Sequence, residues 1–298
     1  MKTPTLLITG GSGQVAWDLK QFAADKTIKL VACSRDELDI TNPDSINQAF
    51  AQFKPDIIIN TAAYTAVDKA EQETAPAFLV NRDGAANLAR ACSERVIPLV
   101  HLSTDYVFDG KKEKPYQEND KSVPLGVYGQ SKWEGEEAVR ENCPQHIILR
   151  VSGVFGRHGN NFVKTILRLA GERETLRVVA DQTTCPTPAA DIAETIIIIA
   201  KQLVHSHDGL WGTYHYCSNE PTTWHHFAET IIEMAKPFHT LQVKDIQPIS
   251  TAEYPTAAQR PPYCVLNTQK IHTQFGIQPR SWRLGLLEVI KHVKLPTS

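Results

Sequence analysis

The chain has 298 residues, of which 42% are hydrophobic, and a formal net charge of −2. This length suits one large α/β domain, or a main domain with a smaller annex. Because acidic and basic residues are mixed along the chain and no basic block stands out, we expect no nucleic-acid partner.

The distribution of apolar residues and cysteines bears on the compartment. No apolar run reaches the roughly 18 residues that a membrane span needs, and the apolar stretch at residues 5–9 is too short for a signal peptide. The six cysteines form no C-x-x-C pair and no spacing typical of a metal site. We therefore expect a cytoplasmic protein with reduced thiols, no membrane contact and no bound metal.

Strand-like and helix-like segments alternate along the first half of the chain. Strands are predicted at residues 5–9, 28–33, 56–60, 97–103 and 147–151. Helices are predicted at residues 13–24, 43–53, 75–94 and 126–141, with Asn42 as the N-cap of the second. Because the strands are almost continuously apolar, a parallel sheet covered on both faces is expected. The pattern predicts a doubly wound, Rossmann-type α/β fold.

The alternation becomes less regular after about residue 153. Helices are predicted at 161–170, 191–203 and 225–235, and a strand at 176–180. We predict a smaller α/β C-terminal lobe that binds the substrate. The proposed units are residues 1–152, a nucleotide-binding domain that also receives some later segments, and 153–298, mostly the substrate lobe and interleaved with the first.

A glycine-rich loop follows the first predicted strand. Gly10, Gly13 and Ala16 fit the pattern G-x-x-G-x-x-A, a variant of the dinucleotide fingerprint. The first glycine permits a tight turn, the second lets backbone N–H groups approach a diphosphate, and the alanine leaves room for helix–strand packing. A glycine turn that binds nothing is the alternative. Its place at the first strand–helix junction favours the binding site.

The end of the second predicted strand bears on the choice of cofactor. Ser34 and Arg35 stand there, followed by Asp36. A carboxylate at such a position holds the ribose 2′-hydroxyl of NAD, whereas an arginine accommodates the 2′-phosphate of NADP. Ser34 and Arg35 therefore favour NADPH, while Asp36 leaves NADH possible. The alternative for Arg35 is a solvated loop residue.

Tyr128 and Lys132 form a Y-x-x-x-K pair on a predicted helix. Residues four apart share one helical face, so the phenol and the ammonium can reach one site. A nearby ammonium is expected to lower the pKa of the phenol and make it a usable general acid. A surface Tyr–Lys pair is the alternative. Thr104, at the carboxyl end of the fourth predicted strand, favours the catalytic interpretation because ligands bind at that edge.

Several longer segments make the chain similar to the extended short-chain dehydrogenases/reductases, and among them to the dTDP-4-dehydrorhamnose reductases. The specific strings are Y-T-A-V-D-K-A-E, within residues 60–71, and S-T-D-Y-V-F-D-G at residues 103–110. Further matching segments lie at residues 124–132, 159–162, 181–182, 186–187 and 260–261. The resemblance implies reduction of the C4 ketone of dTDP-4-dehydro-L-rhamnose to dTDP-L-rhamnose, with a nucleotide sugar as substrate.

The resemblance also implies roles for individual residues. Tyr128 would be the proton donor, Lys132 would contact the ribose, and Thr104 would orient Tyr128. The implied cofactor contacts, besides Tyr128 and Lys132, are Gly13, Gln14, Val15, Asp39, Ile40, Ala62, Ala63, Tyr64 and Thr65, to which Gly10, Ser34 and Arg35 are added from the motifs. The implied sugar contacts, besides Thr104, are Val67, Asp105, Tyr106 and Phe108.

Some positions depart from the pattern of the family. Gly153 stands where members often have a tryptophan against the sugar, so the substrate pocket is expected to differ there. Some members dimerise through carboxylates and magnesium; the matching positions are Asp18, Ala190 and His292, and because only one is acidic, a metal is not expected. A homodimer remains possible.

Two further residues are candidate substrate contacts. Arg260 could hold the substrate diphosphate by a bidentate contact, although a surface arginine beside a Pro-rich turn is the alternative. Asn161 is a second candidate substrate contact, again with a surface residue as the alternative.

Competing functions were weighed against the reductase. One is reduction of another nucleotide-linked 4-keto-6-deoxy sugar. An epimerase or dehydratase of nucleotide sugars is another, but a dehydratase favours an acid/base pair that includes a glutamate after Thr104, where this chain has Asp105 and Tyr106. A third is a non-catalytic regulatory subunit of the methionine adenosyltransferase type. Retention of Thr104, Tyr128 and Lys132 argues against lost catalysis.

Overall fold

The computed structural model describes residues 3–205 and 210–293. Its centre is a six-stranded sheet, parallel throughout, in the order β2-β1-β3-β4-β5-β10. These strands are β1 (Thr5–Thr9), β2 (Lys29–Ala32), β3 (Ile57–Asn60), β4 (Leu99–Thr104), β5 (His146–Val151) and β10 (Gly212–Tyr216). The predicted α/β class with a doubly wound parallel sheet is confirmed.

Helices cover both faces of the sheet. Those of the first half are α1 (Gln14–Leu19), α2 (Pro43–Phe53), α3 (Val67–Ala70), α4 (Thr74–Phe78), α5 (Ala85–Glu94) and α6 (Val127–Asn142). A π-helical turn, Leu79–Gly84, joins α4 to α5, and 3-10 turns lie at Lys20–Ala24, Asp105–Val107 and Thr251–Glu253. The Asn42 side chain accepts the Asp44 N–H at 3.0 Å, so the predicted N-cap of α2 is confirmed.

The remaining helices and short strands follow β5; some of them pack on the central sheet, and the others form a second lobe. The helices are α7 (Phe162–Glu172), α8 (Ala189–His205), α9 (Trp224–Ala235), α10 (Gln269–Phe275) and α11 (Trp282–His292). The strands are β6 (Val154–Phe155), β7 (Thr175–Val179), β8 (Thr183–Thr184), β9 (Thr187–Pro188), β11 (Thr222–Thr223) and β12 (Asp245–Ile249). Phe227 and Trp282 are fully buried in a core that α7, α9 and α11 build.

The central sheet continues past residue 152. Strand β10 pairs with β5, and α8 packs its apolar face into the same core as β1. The sequence of β10 was not predicted as a strand because His215 and Thr213 interrupt its apolar character, yet both side chains are buried. The proposed boundaries at residues 1 and 298 lie outside the described residues.

The order of the strands determines where a ligand can bind. From β1 the chain crosses to β2 on one side, whereas β3 lies on the other side of β1. In open parallel sheets, the crevice at the carboxyl ends of such diverging strands binds the ligand. The loops after β1 and β3 flank this crevice, and both carry predicted site residues. Within residues 3–205 and 210–293, no helix is long and apolar enough to cross a membrane.

Candidate active site

A cleft of about 860 Å³ opens at the carboxyl ends of β1, β3 and β4 and is closed on its far side by the second lobe. Its nucleotide side is lined by Gly10, Gly13, Gln14, Val15, Arg35, Asp39, Ile40, Ala62, Ala63, Tyr64 and Thr65. Its other side is lined by Val67, Thr104, Asp105, Tyr106, Tyr128, Lys132 and Gly153. The structure thus brings most of the predicted site residues into one cavity.

The glycine-rich loop has the backbone geometry that a diphosphate site needs. Gly10 has a φ of +67°, and a Cβ there would lie 2.7 Å from the Cα of Ala62. Gly13 is the N-cap of α1, and a Cβ there would meet only the carbonyl oxygen of Gly10, at 3.3 Å. Gly10 therefore allows the loops after β1 and β3 to touch, while Gly13, whose own N–H donates to the carbonyl oxygen of Gly10 at 2.9 Å, begins the first turn of α1, where N–H groups have no partner within the helix.

Arg35 lies at the rim of the nucleotide side. Its side chain is 74% exposed, and its Nε is 3.5 Å from a carboxylate oxygen of Asp39. This exposed pair leaves the guanidinium free to turn towards a phosphate. Ser34 is not among the lining residues of the cleft. Its N–H and its hydroxyl both donate to a carboxylate oxygen of Glu37, at 2.8 and 2.9 Å. The Ser34 side chain therefore closes the turn after β2.

Helix α6 is held against the cleft by small residues and by a cap from α3. A carboxylate oxygen of Glu71 accepts the N–H of Val127 at 2.8 Å, at the first turn of α6. A Cβ on Gly129 would lie 2.3 Å from the carbonyl oxygen of Tyr106, so only glycine permits this approach. Tyr106 then packs edge-on against Tyr128, with ring centroids 5.6 Å apart. The family string at residues 60–71 therefore supports the helix that carries Tyr128 and Lys132.

Asn81, in the π-helical turn, links the nucleotide side of the cleft to α6. Its side chain is 1% exposed. It accepts the N–H of Tyr64 at 2.8 Å and donates to the carbonyl of Tyr64 at 3.1 Å and to the hydroxyl of Ser131 at 2.9 Å. Sequence reasoning missed this residue because its helix appeared continuous. An asparagine inside an alanine-rich helix was the available signal.

Burial controls the protonation of Tyr128. It raises the pKa of Tyr128 to about 12, while the interaction with the Thr104 hydroxyl works in the opposite direction. We expected the Lys132 ammonium to lower the pKa of Tyr128, and this expectation is wrong for the structure described. The phenol is consequently protonated at neutral pH, which is the form that a proton donor needs.

Lys132 points towards the end of β4. Its Nζ donates to the carbonyl oxygen of Leu102 at 2.7 Å and lies 3.4 Å from Nε2 of His101. Burial lowers the pKa of Lys132 to about 8, and the carboxylate of Glu136, one turn along α6, partly opposes this shift. The lysine therefore exchanges protons close to physiological pH.

Asp105 adds a second titratable group beside the phenol. Its side chain is 4% exposed and accepts the Thr104 hydroxyl at 2.9 Å. Burial raises the pKa of Asp105 to about 6, although hydrogen bonds from Ser152 and Thr104 lower it. A buried carboxyl of this kind can accept a hydrogen bond from a ligand hydroxyl when it is ionised, or donate one when it is protonated.

Three residues expected at the substrate are not among those that line the cleft. Phe108 is 1% exposed and stacks on Tyr116, with centroids 4.2 Å apart. Arg260 donates to both carboxylate oxygens of Asp68, at 3.2 and 2.8 Å. Asn161 caps α7 and donates to Gln14 at 2.9 Å. Each side chain already has a structural partner, so its role at the substrate stays a prediction.

The second lobe contributes lining residues that the sequence did not reveal. Phe162 and Trp224 are partly exposed to the cleft and pack with ring centroids 4.6 Å apart. Gln182, Thr183 and Cys264 complete this wall. These residues come from four segments far apart in the chain, so no local pattern could group them.

Replacing Gly153 by alanine is expected to lower the free energy of unfolding by about 1–3 kcal/mol. Gly153 has a φ of +54°, and a Cβ there would lie 2.9 Å from the carbonyl oxygen of Cys185. Urea denaturation would measure the loss. Gly171→Ala is the matched control, since a Cβ there meets nothing within 4 Å. Equal stability of the two variants would show that the backbone at Gly153 is not strained.

The parallel sheet, the glycine-rich loop at its switch point and the clustered Thr104, Tyr128 and Lys132 define a short-chain dehydrogenase/reductase of Rossmann type. The family model described as "RmlD substrate binding domain" matches residues 4–295. The chain belongs to this family.

Known relatives agree with this assignment. A dTDP-4-dehydrorhamnose reductase of Aggregatibacter actinomycetemcomitans is 44% identical, over 95% of this chain and 97% of the relative. A crystal structure of a dTDP-4-dehydrorhamnose reductase from Bacillus anthracis, in complex with NADP, is 36% identical with a TM-score of 0.89. It covers 98% of this chain and 100% of that one. One from Clostridium acetobutylicum is 35% identical, with a TM-score of 0.89 over 96% and 98% of the two chains.

Proposed function

We propose that this chain catalyses the NADPH-dependent reduction of the C4 ketone of dTDP-4-dehydro-L-rhamnose to dTDP-L-rhamnose. The observation that carries the proposal is the shared cleft. Thr104, Tyr128 and Lys132 line the same cavity as the glycine-rich loop, in a chain whose relatives are named for this reaction. The relative crystallised with NADP supports the choice of cofactor.

The residues of the cleft fit a dinucleotide and a keto sugar side by side. The first turn of α1, which begins after Gly13, would bind the diphosphate, and Lys132 would bind the ribose hydroxyls of the nicotinamide half. The bound cofactor would supply the hydride to C4 of the sugar. Tyr128, held protonated by burial, would donate its proton to the ketone oxygen, and Thr104 would orient the phenol. Asp105 and Tyr106 would contact the sugar.

A direct assay tests the proposal. The purified protein would be mixed with NADPH and dTDP-4-dehydro-L-rhamnose, and the absorbance of the reduced cofactor followed. Consumption of NADPH that depends on the sugar is expected; absence of consumption would refute the assignment. Because Gly153 replaces a tryptophan expected from the family, a second nucleotide-linked 4-keto-6-deoxy sugar should be assayed in parallel. Faster turnover of that sugar would identify it as the substrate.

Arg35→Ala is expected to lower kcat/KM for NADPH about 10- to 100-fold and to leave kcat/KM for NADH nearly unchanged. A charge-assisted hydrogen bond to a phosphate contributes about 1.5–3 kcal/mol. Initial rates with both cofactors would measure the ratio. Arg168→Ala is the control, because that exposed arginine pairs with Glu172 on α7, and neither residue lines the cleft. Equal losses with NADPH and NADH would remove Arg35 from recognition of the 2′-phosphate.

The partners and the location follow from the same proposal. A nucleotide sugar would be the substrate, and a cytoplasmic enzyme would have both substrate and reduced cofactor available. The sequence leaves open whether the chain forms a homodimer. Light scattering would measure the oligomeric state, and cell fractionation the location.

A further inference from the structure

His101 is a buried histidine in the middle of β4, next to Lys132. Its side chain is 1% exposed. Burial and the nearby Lys132 charge hold the pKa of His101 well below its usual range, while the Glu136 carboxylate opposes this shift. The imidazole is therefore neutral, with one ring nitrogen that donates and one that accepts.

The neighbouring Asn60 determines which ring nitrogen accepts. Its Oδ1 lies 3.2 Å from the backbone nitrogen of Ala62 and 2.6 Å from the hydroxyl of Thr9. A backbone N–H can only donate, so the atom facing Ala62 must be the amide oxygen. The amide NH₂ of Asn60 then faces Nδ1 of His101, at 2.9 Å.

The direction of this hydrogen bond places the ring proton. Because the NH₂ of Asn60 can only donate, Nδ1 of His101 accepts, and the proton of the neutral ring is on Nε2. Nε2 lies 3.4 Å from Nζ of Lys132. An ammonium has three donors and no acceptor, whereas an amine has a lone pair that can accept the Nε2–H. The Nε2–H of His101, on β4, is thus a hydrogen-bond donor that faces Nζ of Lys132.

We propose that His101 is a positioning residue of the reductase proposed above, whose Nε2–H is aimed at Nζ and favours the amine of Lys132 over its ammonium. The chain of hydrogen bonds runs from the N–H of Ala62 through Asn60 and His101 to Lys132. The loop after β3 is therefore coupled to the protonation of Lys132 on α6. The carbonyl of Leu102 accepts from Nζ at 2.7 Å and holds the nitrogen in place both as the amine and as the ammonium. His101 thereby adds to the effect of burial and lowers the pH above which Lys132 loses its charge.

The charged groups around the pair are consistent with this role. On α6, the Glu136 carboxylate favours the ammonium of Lys132. Arg140 on α6 and His146 at the start of β5 act on His101 in the same direction as Lys132, towards the neutral ring. The imidazole therefore stays a neutral donor over the pH range in which Lys132 titrates.

The test is a direct titration of Lys132 by NMR in the full-length protein. The chain would carry lysine labelled with ¹³C at Cε, and Lys132→Met would identify the Lys132 signal. In the unchanged protein this signal should titrate near pH 8. In His101→Phe, which lacks the Nε2–H, the ammonium is less disfavoured, so the midpoint should move up by about one pH unit.

Two further variants keep the result interpretable. His101→Asn offers Asn60 an acceptor but has no donor that reaches Lys132, so its Lys132 midpoint should also move up. His146→Phe is the control, because Nδ1 of His146 contacts the carbonyl of Cys143 and not Lys132. The Lys132 midpoint should not move in this variant. An unchanged or lowered Lys132 midpoint in a folded His101→Phe or His101→Asn protein would overturn the proposal.

Reductase activity supplies a second readout. If Lys132 must be charged, the basic limb of the kcat–pH profile should shift to higher pH in His101→Phe by the same amount as the NMR midpoint. Because the NMR titration requires no turnover, the role of His101 is tested even if the unchanged protein fails to reduce the proposed sugar. An unshifted basic limb beside a shifted NMR midpoint would refute the effect of His101 on catalysis.

Discussion

Tyr128→Phe is expected to lower kcat by about 10²- to 10⁴-fold, because it removes the hydroxyl that would donate a proton to the ketone oxygen. Burial keeps the phenol protonated, with a pKa raised to about 12, so the unchanged protein presents the donating form throughout the neutral range. Phenylalanine fills almost the same volume and keeps the edge-on contact with Tyr106. Single-turnover kinetics with NADPH and the keto sugar would measure the loss.

A cofactor-binding measurement separates catalysis from binding in this variant. NADPH affinity of Tyr128→Phe, followed by the fluorescence of the reduced cofactor, should change by less than a few-fold, since a single lost hydrogen bond contributes about 1 kcal/mol. Tyr254→Phe is the matched control, because that tyrosine is 57% exposed and is not among the cleft residues. Turnover of Tyr128→Phe equal to that of Tyr254→Phe would remove Tyr128 from the proton-donating role.

Glu136→Ala is expected to lower the free energy of unfolding by about 3–5 kcal/mol. The carboxylate is fully buried on α6 and accepts from Nε and Nη2 of Arg150, at 2.8 and 2.6 Å. It also accepts from the Ser103 hydroxyl at 2.6 Å and from Arg140 at 2.8 Å. Because Arg150 is only 2% exposed, the variant leaves a buried guanidinium without its counter-charge. Urea denaturation would measure the change.

The adjacent glutamate provides the control for this substitution. Glu137 also pairs with Arg140 but is 45% exposed, so Glu137→Gln should change stability by less than about 1 kcal/mol. A loss in Glu136→Ala no larger than in Glu137→Gln would contradict the importance of the buried pair. Since Glu136 lies one turn beyond Lys132 and bonds to Ser103 beside Thr104, its loss should also disturb the positions of these two proposed catalytic residues.

Glu136 also predicts how stability depends on pH. Burial by itself raises the pKa of Glu136, but the charges of Arg150 and Arg140 and the hydrogen bonds from Arg150 and Ser103 together lower it to about 2. A carboxyl whose pKa is lower in the folded protein contributes stability above its unfolded value of about 4.3. That contribution is lost as the pH falls from about 4.5 towards 2. The free energy of unfolding of the unchanged protein should therefore fall more steeply in this pH range than that of Glu136→Ala, which keeps only the contributions of other carboxyls with lowered pKa values, such as Asp68 and Asp120.

Local patterns in the sequence determined the elements whose physics is local. Apolar runs of strand length predicted β1 to β5, and the Asn42-Pro43 pair predicted the start of α2, because side-chain periodicity and capping involve neighbouring residues only. The glycine-rich loop and the four-residue spacing of Tyr128 and Lys132 were visible for the same reason. These patterns were sufficient to predict the α/β class and the position of the cleft.

The tertiary structure alone decided the features that depend on residues far apart in the chain. It buried Phe108 against Tyr116 and added β10 to the sheet, because burial depends on which segments pack together. It also turned Lys132 towards His101 and Leu102, whose positions on β4 no spacing in α6 specifies. The Tyr128–Lys132 spacing could therefore predict a shared cleft, whereas the pKa of each group follows from desolvation and from partners that the fold supplies.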